Sequence, residues 1–258
     1  MCSVNGVRIA YAAAGAGAPA VCFVHGTGGS SDVWTHQLEG LADLGQIVAL
    51  DLPGHGRSDG GIPKTIEDAA AVVAGFLDAL GIARVVIGGH SMGGAIAQQF
   101  ALAFHERVDG LVLVGTGARL RVLPRLLALL ESSPRDGVDL LMSLAVGAEA
   151  PAELRAALHR ATADNPPGVV LGDLRSCDAF DVMTRIGKVG VAALAICGAD
   201  DQLTPPKYSR FLGAQIAGAS IVVVPGAGHY VQVEKPRETT AAIREFLARL
   251  SGVARQLE

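Results

Sequence analysis

The chain has 258 residues, of which 50% are hydrophobic and 18% are charged, and its formal net charge is −4. This length is typical of one α/β domain with a large core, and the lack of a basic stripe argues against nucleic-acid binding. The four cysteines show no metal-site spacing, so we expect reduced thiols, no metal and a cytoplasmic protein. Residues 85–104 are long enough to span a membrane, but their polar residues and glycines predict that they do not.

Apolar segments rich in β-branched residues alternate with segments of helical periodicity along most of the chain. A hairpin is expected within residues 3–13, and six further strands are predicted at 20–25, 46–51, 84–89, 108–115, 191–197 and 219–225. Helices are predicted at 31–44, 65–80, 92–104, 205–217 and 236–250. Apolar strands joined by helices indicate an α/β fold with a mostly parallel central sheet covered by helices on both faces. Ligands of such a sheet bind at the carboxyl ends of its strands.

Residues 118–190 interrupt this alternation after the sixth predicted strand. They contain no convincing strand, but stretches such as RLLALLE, GVDLLMSL and AELRAALHRA have helical periodicity. An unstructured loop of this length is implausible in a compact domain. We therefore predict a core formed by residues 1–117 and 191–258, and a helical cap formed by residues 118–190.

Ser91 lies at the junction of a predicted strand and a predicted helix, in the sequence VVIGGHSMGGAIAQQFA. Gly89 and Gly93 would permit a sharp turn and a close approach of the helix to the strand. A Gly-x-Ser-x-Gly motif arises easily by chance in so glycine-rich a chain. Its meaning therefore depends on whether a base and an acid accompany the serine.

A candidate base and two candidate acids follow the last two predicted strands. His229 lies in PGAGHYVQVEKP, and Asp200 and Asp201 lie in LAICGADDQLTP. Both stretches leave carboxyl ends of strands, so these side chains can converge on Ser91. The order serine, aspartate, histidine along the chain is the one that a nucleophile elbow requires.

Five stretches of the sequence, in this order, resemble the motifs of the α/β-hydrolase superfamily: HGTGGSSDVW, DLPGHGRSD, GHSMGG, GADDQLTP and GAGHYVQVEKP. The resemblance implies that Ser91 is the nucleophile and His229 the base. It implies that Asp201 is the acid, because Asp201 matches the aspartate of G-x-x-D-x-x-x-P. It also implies an oxyanion hole made by the backbone N–H groups of Thr27 and Met92.

These roles predict a serine hydrolase that cleaves a carboxylic ester or a lactone through an acyl-enzyme, with water as the second substrate and no cofactor. Enol-lactonases, carbon–carbon bond hydrolases of ring-cleavage pathways and cofactor-free haloperoxidases share the SMGG form and remain alternatives. A non-catalytic binding protein on the same fold is an alternative from another class. We expect a monomer or homodimer that binds a small-molecule substrate.

The scarcity of charge near residues 120–130 predicts an enclosed, mostly hydrophobic site for small or medium uncharged esters rather than long triglycerides. The leucines of this stretch are interpreted as packing surface. Candidate pocket residues are His25, His90, Phe180, Met183 and Tyr230. We favour a structural role for His25 and His90, in which they hydrogen-bond the loop backbone.

Overall fold

The computed structural model describes residues 1–166 and 168–254. The strands are β1 (Cys2–Val4), β2 (Val7–Ile9), β3 (Tyr11–Ala14), β4 (Ala20–Val24), β5 (Gln46–Leu50), β6 (Val85–His90), β7 (Val108–Val114), β8 (Ala193–Gly198) and β9 (Ser220–Val224). The helices are α1 (Thr35–Leu41), α2 (Ile66–Ala79), α3 (Met92–Ala103), α4 (Pro124–Ser132), α5 (Pro134–Ala145), α6 (Ala152–Ala163), α7 (Val169–Ala179), α8 (Pro206–Gln215), α9 (Val231–Glu234) and α10 (Pro236–Ala254).

The central sheet has seven strands in the order β3-β5-β4-β6-β7-β8-β9. Only the edge strand β3 runs antiparallel to its neighbour, and all the other neighbouring pairs are parallel. The predicted mostly parallel sheet is therefore confirmed.

The amino-terminal region contains three strands rather than the predicted two. Asn5 and Gly6 both have positive φ angles, 48° and 82°, which suits the tight turn of the β1–β2 hairpin. The chain then continues into β3, which joins the central sheet instead. The long helical segment consequently follows the seventh strand along the chain, and not the sixth.

Helices cover both faces of the sheet because successive residues of each buried strand point to opposite sides. In β4, Cys22 and Val24 pack into an apolar cluster with α2 and α3. Val21 and Phe23 pack into a second cluster, with α1 and α10. The strand buries apolar side chains on both faces, which explains why its sequence reads as a continuous apolar run.

Helices α4 to α7 lie between β7 and β8 and share an apolar cluster of their own. The three stretches with helical periodicity correspond to α4, α5 and α6. The structure adds α7, which was not predicted because its sequence, VVLGDLRSCDA, mixes β-branched, small and polar residues without a clear period.

The loops that follow β4, β6, β8 and β9 all leave carboxyl ends of parallel strands. They therefore meet at one edge of the sheet, which is the edge where Ser91 lies between β6 and α3. None of the helices in the described ranges has both the length and the hydropathy needed to span a bilayer.

Candidate active site

Ser91 occupies a strained turn between β6 and α3. Its φ of 54° and ψ of −115° lie in a region that residues other than glycine rarely adopt. A Cβ atom on Gly93 would overlap the carbonyl oxygen of Val24, and one on Gly89 would overlap the backbone of Gly93. The backbones of β6 and α3 are therefore in direct contact, with no side chain between them. This contact holds Ser91 in its strained conformation.

Two hydrogen bonds brace this turn. The Ser91 amide donates to the Val114 carbonyl at 2.9 Å, and the Ser91 carbonyl accepts from the Thr116 hydroxyl at 2.8 Å. Both partners belong to β7 or to the residues directly after it. The backbone of Ser91 is thus fixed by the neighbouring strand, and its side chain stays half-buried.

Ser91 and His229 line the same cavity, whose volume is about 330 Å³. The residues that line the cavity come from the loops after β6, β7, β8 and β9 and from helices α4, α5, α7 and α8. Its walls are mostly apolar and comprise Leu120, Val122, Leu123, Leu126, Leu141, Leu144, Leu174, Cys177, Leu203 and Pro205. The polar residues besides Ser91 and His229 are Arg121, Gln202, Thr204, Lys207 and Tyr208.

His229 is held on its far side by the buried carboxylate of Asp201. The His229 Nδ1 lies 2.9 Å from Asp201 Oδ2, and the Thr204 hydroxyl lies 3.2 Å from the same nitrogen. A carboxylate accepts, so Nδ1 carries the proton and Nε2 is left as the basic nitrogen. The His229 amide donates to the Ala145 carbonyl at 2.7 Å, which ties this loop to the end of α5.

The Asp201 carboxylate accepts hydrogen bonds on both of its oxygens. Its Oδ1 accepts from the amides of Leu203 and Thr204 at 2.9 and 2.8 Å, and its Oδ2 accepts from the Thr204 hydroxyl at 2.8 Å. Burial alone would raise the pKa of Asp201, but the charge of His229 and these hydrogen bonds outweigh burial and lower the pKa to about 2. Asp200, the other candidate acid, is exposed to solvent.

The loop after β4 packs directly against the Ser91 turn. A Cβ atom on Gly26 would lie 3.1 Å from Ser91 Cβ, and Thr27 follows as a buried residue. Met92 begins α3, so its amide has no carbonyl acceptor within the helix. The amides of Thr27 and Met92 thus belong to the two segments that flank Ser91.

His25 and His90 are buried and bind backbone groups. His25 Nε2 accepts from the Leu52 amide at 3.0 Å, and His25 Nδ1 donates to the Gly26 carbonyl at 2.8 Å. His90 Nε2 donates to the His229 carbonyl at 3.0 Å. Burial lowers the pKa of His25 to about 4 and, together with the charge of His229, holds the pKa of His90 well below its usual range. Both rings are therefore neutral, and neither lines the Ser91 cavity.

The other three predicted pocket residues lie elsewhere. Phe180 packs in the core beside α3, and Met183 lines a shallow neighbouring cavity with Phe211. Tyr230 packs its ring 4.9 Å from that of His90 and borders a separate cavity beyond Gly28. Phe180 is 4% exposed and belongs to the apolar core, so it does not line the Ser91 cavity.

Sequence reasoning missed most of the residues that form the cavity wall. The pattern of leucines near residues 120–130 is typical of packing surface, yet Leu120, Leu123 and Leu126 line the cavity. Leu141 and Leu144, three residues apart on α5, form a helical face that could have been noticed. Their orientation toward Ser91 depends on how α5 packs on the sheet, which the periodicity of one helix does not specify.

Within the described residues, no group of three or more His, Cys, Asp or Glu side chains is arranged to hold a metal ion. The cysteines are free thiols. Burial raises the pKa of Cys22 to about 12, and it also raises that of Cys177, which borders the cavity. Both thiols are therefore protonated near neutral pH.

Comparison with known proteins supports the same assignment of fold. Residues 23–243 match the model of a family described as the alpha/beta hydrolase family. A thermophilic esterase of known structure is 36% identical, with a TM-score of 0.85 over 96% of both chains. The enol-lactonase from Burkholderia xenovorans LB400 is 26% identical, with a TM-score of 0.88 over 95% of this chain and 98% of that one. The dihydrolipoyllysine-residue acetyltransferase component of the acetoin cleaving system of Cupriavidus necator is 32% identical over 95% of this chain and 67% of that protein.

Proposed function

The chain belongs to the alpha/beta hydrolase family, and we propose that it is a serine hydrolase that cleaves carboxylic esters through an acyl-enzyme. One observation carries the proposal. Ser91, on its strained turn, shares a cavity with His229, whose Nδ1 is held at 2.9 Å by the buried Asp201 carboxylate. A hydroxyl, an imidazole with a free basic nitrogen and an ionised carboxylate are the groups that nucleophilic catalysis at a carbonyl requires.

In the first half of the reaction, His229 Nε2 takes the proton of the Ser91 hydroxyl while Oγ bonds to the carbonyl carbon of the ester. The carbonyl electron pair moves to its oxygen, and the amides of Thr27 and Met92 donate hydrogen bonds to this oxyanion. When the oxyanion collapses, the bond to the alkoxide breaks, and His229 gives its proton to the departing alcohol.

In the second half, a water molecule replaces the alcohol. His229 takes a proton from the water, whose oxygen attacks the acyl carbon. The bond to Ser91 then breaks, the carboxylic acid leaves, and Ser91 recovers its proton. Asp201 stays ionised throughout because of its low pKa, so it stabilises the positive charge of the imidazole in both halves.

The helical segment of residues 118–190 acts in this proposal as a cap over the reacting groups. Helices α4, α5 and α7 contribute apolar side chains to the wall opposite Ser91. Such a wall excludes water and strengthens the electrostatic interactions inside. A volume of about 330 Å³ suits an ester of small or medium size.

An enol-lactone is the second candidate substrate. The chain is similar to an enol-lactonase over 95% of its length, and a lactone is an internal ester that the same groups would open. The two candidates are distinguished by measuring kcat/KM for an enol-lactone and for an open-chain ester under the same conditions.

The proposal is tested by labelling and by substitution. A fluorophosphonate probe is expected to modify Ser91 of the folded protein, as identified by peptide mass spectrometry. Ser91→Ala is expected to lower kcat for p-nitrophenyl butyrate by about 10⁴-fold or more. Ser3→Ala, in the exposed hairpin, is the matched control and is expected to keep full activity.

Near wild-type turnover by Ser91→Ala would overturn the assignment of the nucleophile. If the folded wild-type protein neither reacts with the probe nor hydrolyses any ester or lactone, the alternative of a binding protein on this fold replaces the enzyme.

A further inference from the structure

Two cationic side chains line the cavity that contains Ser91. Arg121 follows β7 on the segment that leads to α4, and Lys207 lies in the first turn of α8. Both residues are exposed, and both also border the shallow neighbouring cavity, so they lie at the mouth of the Ser91 cavity. No aspartate or glutamate lines the Ser91 cavity within the described residues. The mouth therefore carries positive charge.

Neither cation has an acidic partner within 4.0 Å in the part of the chain that the structure describes. The Lys207 ammonium lies 5.8 Å from the centre of the Tyr208 ring. Two nearby carboxylates are engaged elsewhere: Asp181 pairs with Arg119 at 3.3 Å, and Asp178 accepts from the Val122 amide at 3.1 Å. The two positive charges thus remain available to an anion that enters the cavity.

The lining of the cavity therefore contains three chemically different regions: Ser91 and His229, apolar side chains that are mostly leucines, and the exposed cations Arg121 and Lys207. A ligand that satisfies all three regions has an ester carbonyl, an apolar spacer and an anionic end. A planar guanidinium and an ammonium both bind carboxylates well.

We infer that the substrate is an ester that carries a carboxylate at the end remote from its reacting carbonyl, and that Arg121 and Lys207 bind this carboxylate. This inference rests on the proposed ester hydrolysis and specifies its substrate class. It departs from the sequence-based expectation of an uncharged ester, because the two cations are 86 positions apart and only the fold brings them to one cavity mouth.

The inference is tested with two pairs of esters that differ only by an end group. The first pair, mono-p-nitrophenyl adipate and p-nitrophenyl hexanoate, places a carboxylate or a methyl group at the end of the acyl chain. The second pair, the acetate ester of 4-hydroxybutanoate and butyl acetate, does the same on the alcohol side. We expect kcat/KM to be about tenfold higher for the anionic member of at least one pair at low ionic strength. Raising the salt concentration should reduce this ratio.

Substitutions test whether Arg121 and Lys207 cause the preference for the anionic ester. Arg121→Gln and Lys207→Gln are each expected to lower the ratio of anionic to neutral kcat/KM by about three- to tenfold, mainly through KM. Arg125→Gln is the matched control, since Arg125 is an exposed arginine on α4 that does not line the cavity. It removes the same charge from the protein and should leave the ratio unchanged.

The outcomes separate this inference from the function on which it rests. Turnover without any preference for the anionic member of either pair would overturn the inference alone, as would a double Arg121→Gln, Lys207→Gln variant that keeps the wild-type ratio. If neither member of any pair is hydrolysed and Ser91 does not react with the fluorophosphonate, the ester hydrolase proposal fails and this inference fails with it. The salt dependence of the ratio of kcat/KM is measured on the wild-type protein, so this part of the test does not depend on whether a variant folds.

Discussion

Asp200 and Asp201 are identical residues at adjacent positions, but the backbone gives them different surroundings. Asp201 is 3% exposed and accepts hydrogen bonds from two amides, a hydroxyl and an imidazole, whereas Asp200 is exposed. A buried carboxylate with this many donors is rigid and ionised. It can hold His229 in one tautomer, which a solvated carboxylate at the surface does not do.

This contrast predicts the result of a matched pair of substitutions. Asp201→Asn is expected to lower kcat by about 10³- to 10⁴-fold, because an amide in this place no longer stabilises the protonated imidazole. Asp200→Asn is expected to change kcat by less than about threefold, since it alters one exposed charge. Steady-state kinetics with p-nitrophenyl butyrate measures both. A larger loss for Asp200→Asn would move the acid by one residue.

Among the secondary-structure elements, α7 is joined to the loops after β4 and β5 by a buried ion pair and a hydrogen bond. His55, in the turn after β5, has its Nε2 2.9 Å from Asp173 Oδ2 on α7, and the Gly28 amide donates to the same oxygen at 2.8 Å. His55 Nδ1 donates to the Pro53 carbonyl at 3.0 Å. Since both ring nitrogens face acceptors, the imidazole is positively charged. The pair therefore connects the helical segment to the loop that carries Thr27.

The pKa of His55 predicts a pH-dependent stability. Burial would lower this pKa, but the hydrogen bond and charge of Asp173 outweigh burial and raise it above its ordinary value near 6.5. The proton-linked stabilisation is therefore fully present below about pH 6.5 and is lost as the pH rises through the folded-state pKa. We expect His55→Gln to lower the free energy of unfolding by about 3 kcal/mol at pH 6 and by clearly less at pH 9.

Urea denaturation at the two pH values measures this difference. His105→Gln serves as the control, because the His105 side chain is 77% exposed, and it should change stability by less than about 0.5 kcal/mol. An equal loss at both pH values in His55→Gln would show that the contribution of His55 does not depend on its charge.

At the scale of the whole molecule, the candidate catalytic residues and the cavity wall come from different parts of the chain. The sheet edge supplies Ser91 and His229, and the segment of residues 118–190 supplies eight of the ten apolar residues that line the cavity. Helices α4 to α7 also have their own apolar cluster, and Tyr230 belongs to it. If the proposed ester hydrolysis is correct, we expect the side chains of this segment to limit the size of the acyl group.

We expect Leu144→Ala to broaden the substrate range. Leu144 is half-buried and lines the cavity, so its truncation creates room for a longer acyl chain. The ratio of kcat/KM for p-nitrophenyl octanoate to that for the acetate should rise by about tenfold. Leu140→Ala is the matched control, because Leu140 is half-buried on the same helix but lies outside the cavity, and it should leave the ratio unchanged.

Phe180→Ala should behave differently from a cavity variant. Phe180 is 4% exposed in the core, so we expect a loss of about 3–5 kcal/mol in stability without a change in acyl preference.

The wild-type protein should also prefer short soluble esters to emulsified long-chain triglycerides. The opposite preference would mean that the site is an open groove rather than an enclosed cavity.

Local patterns in the sequence determined the fold class and predicted that Ser91 and His229 lie near each other. Apolar runs joined by helices predicted the parallel sheet, and parallel strands place their carboxyl ends at one edge. The stretches around Ser91 and His229 follow such strands, and the two residues do line one cavity. These features depend on residues close together in the chain, so they can be read from one sequence.

The tertiary structure alone decided which side chains form the wall and the mouth of the cavity. Arg121 meets Lys207 there, and His55 pairs with Asp173, 118 positions further along the chain. Helical periodicity indicates that α4 and α5 have apolar faces, but it does not indicate which residues of each face point toward Ser91 and which pack against another helix. That choice depends on the fit between elements far apart in sequence, where shape and volume rather than local propensity determine the contact.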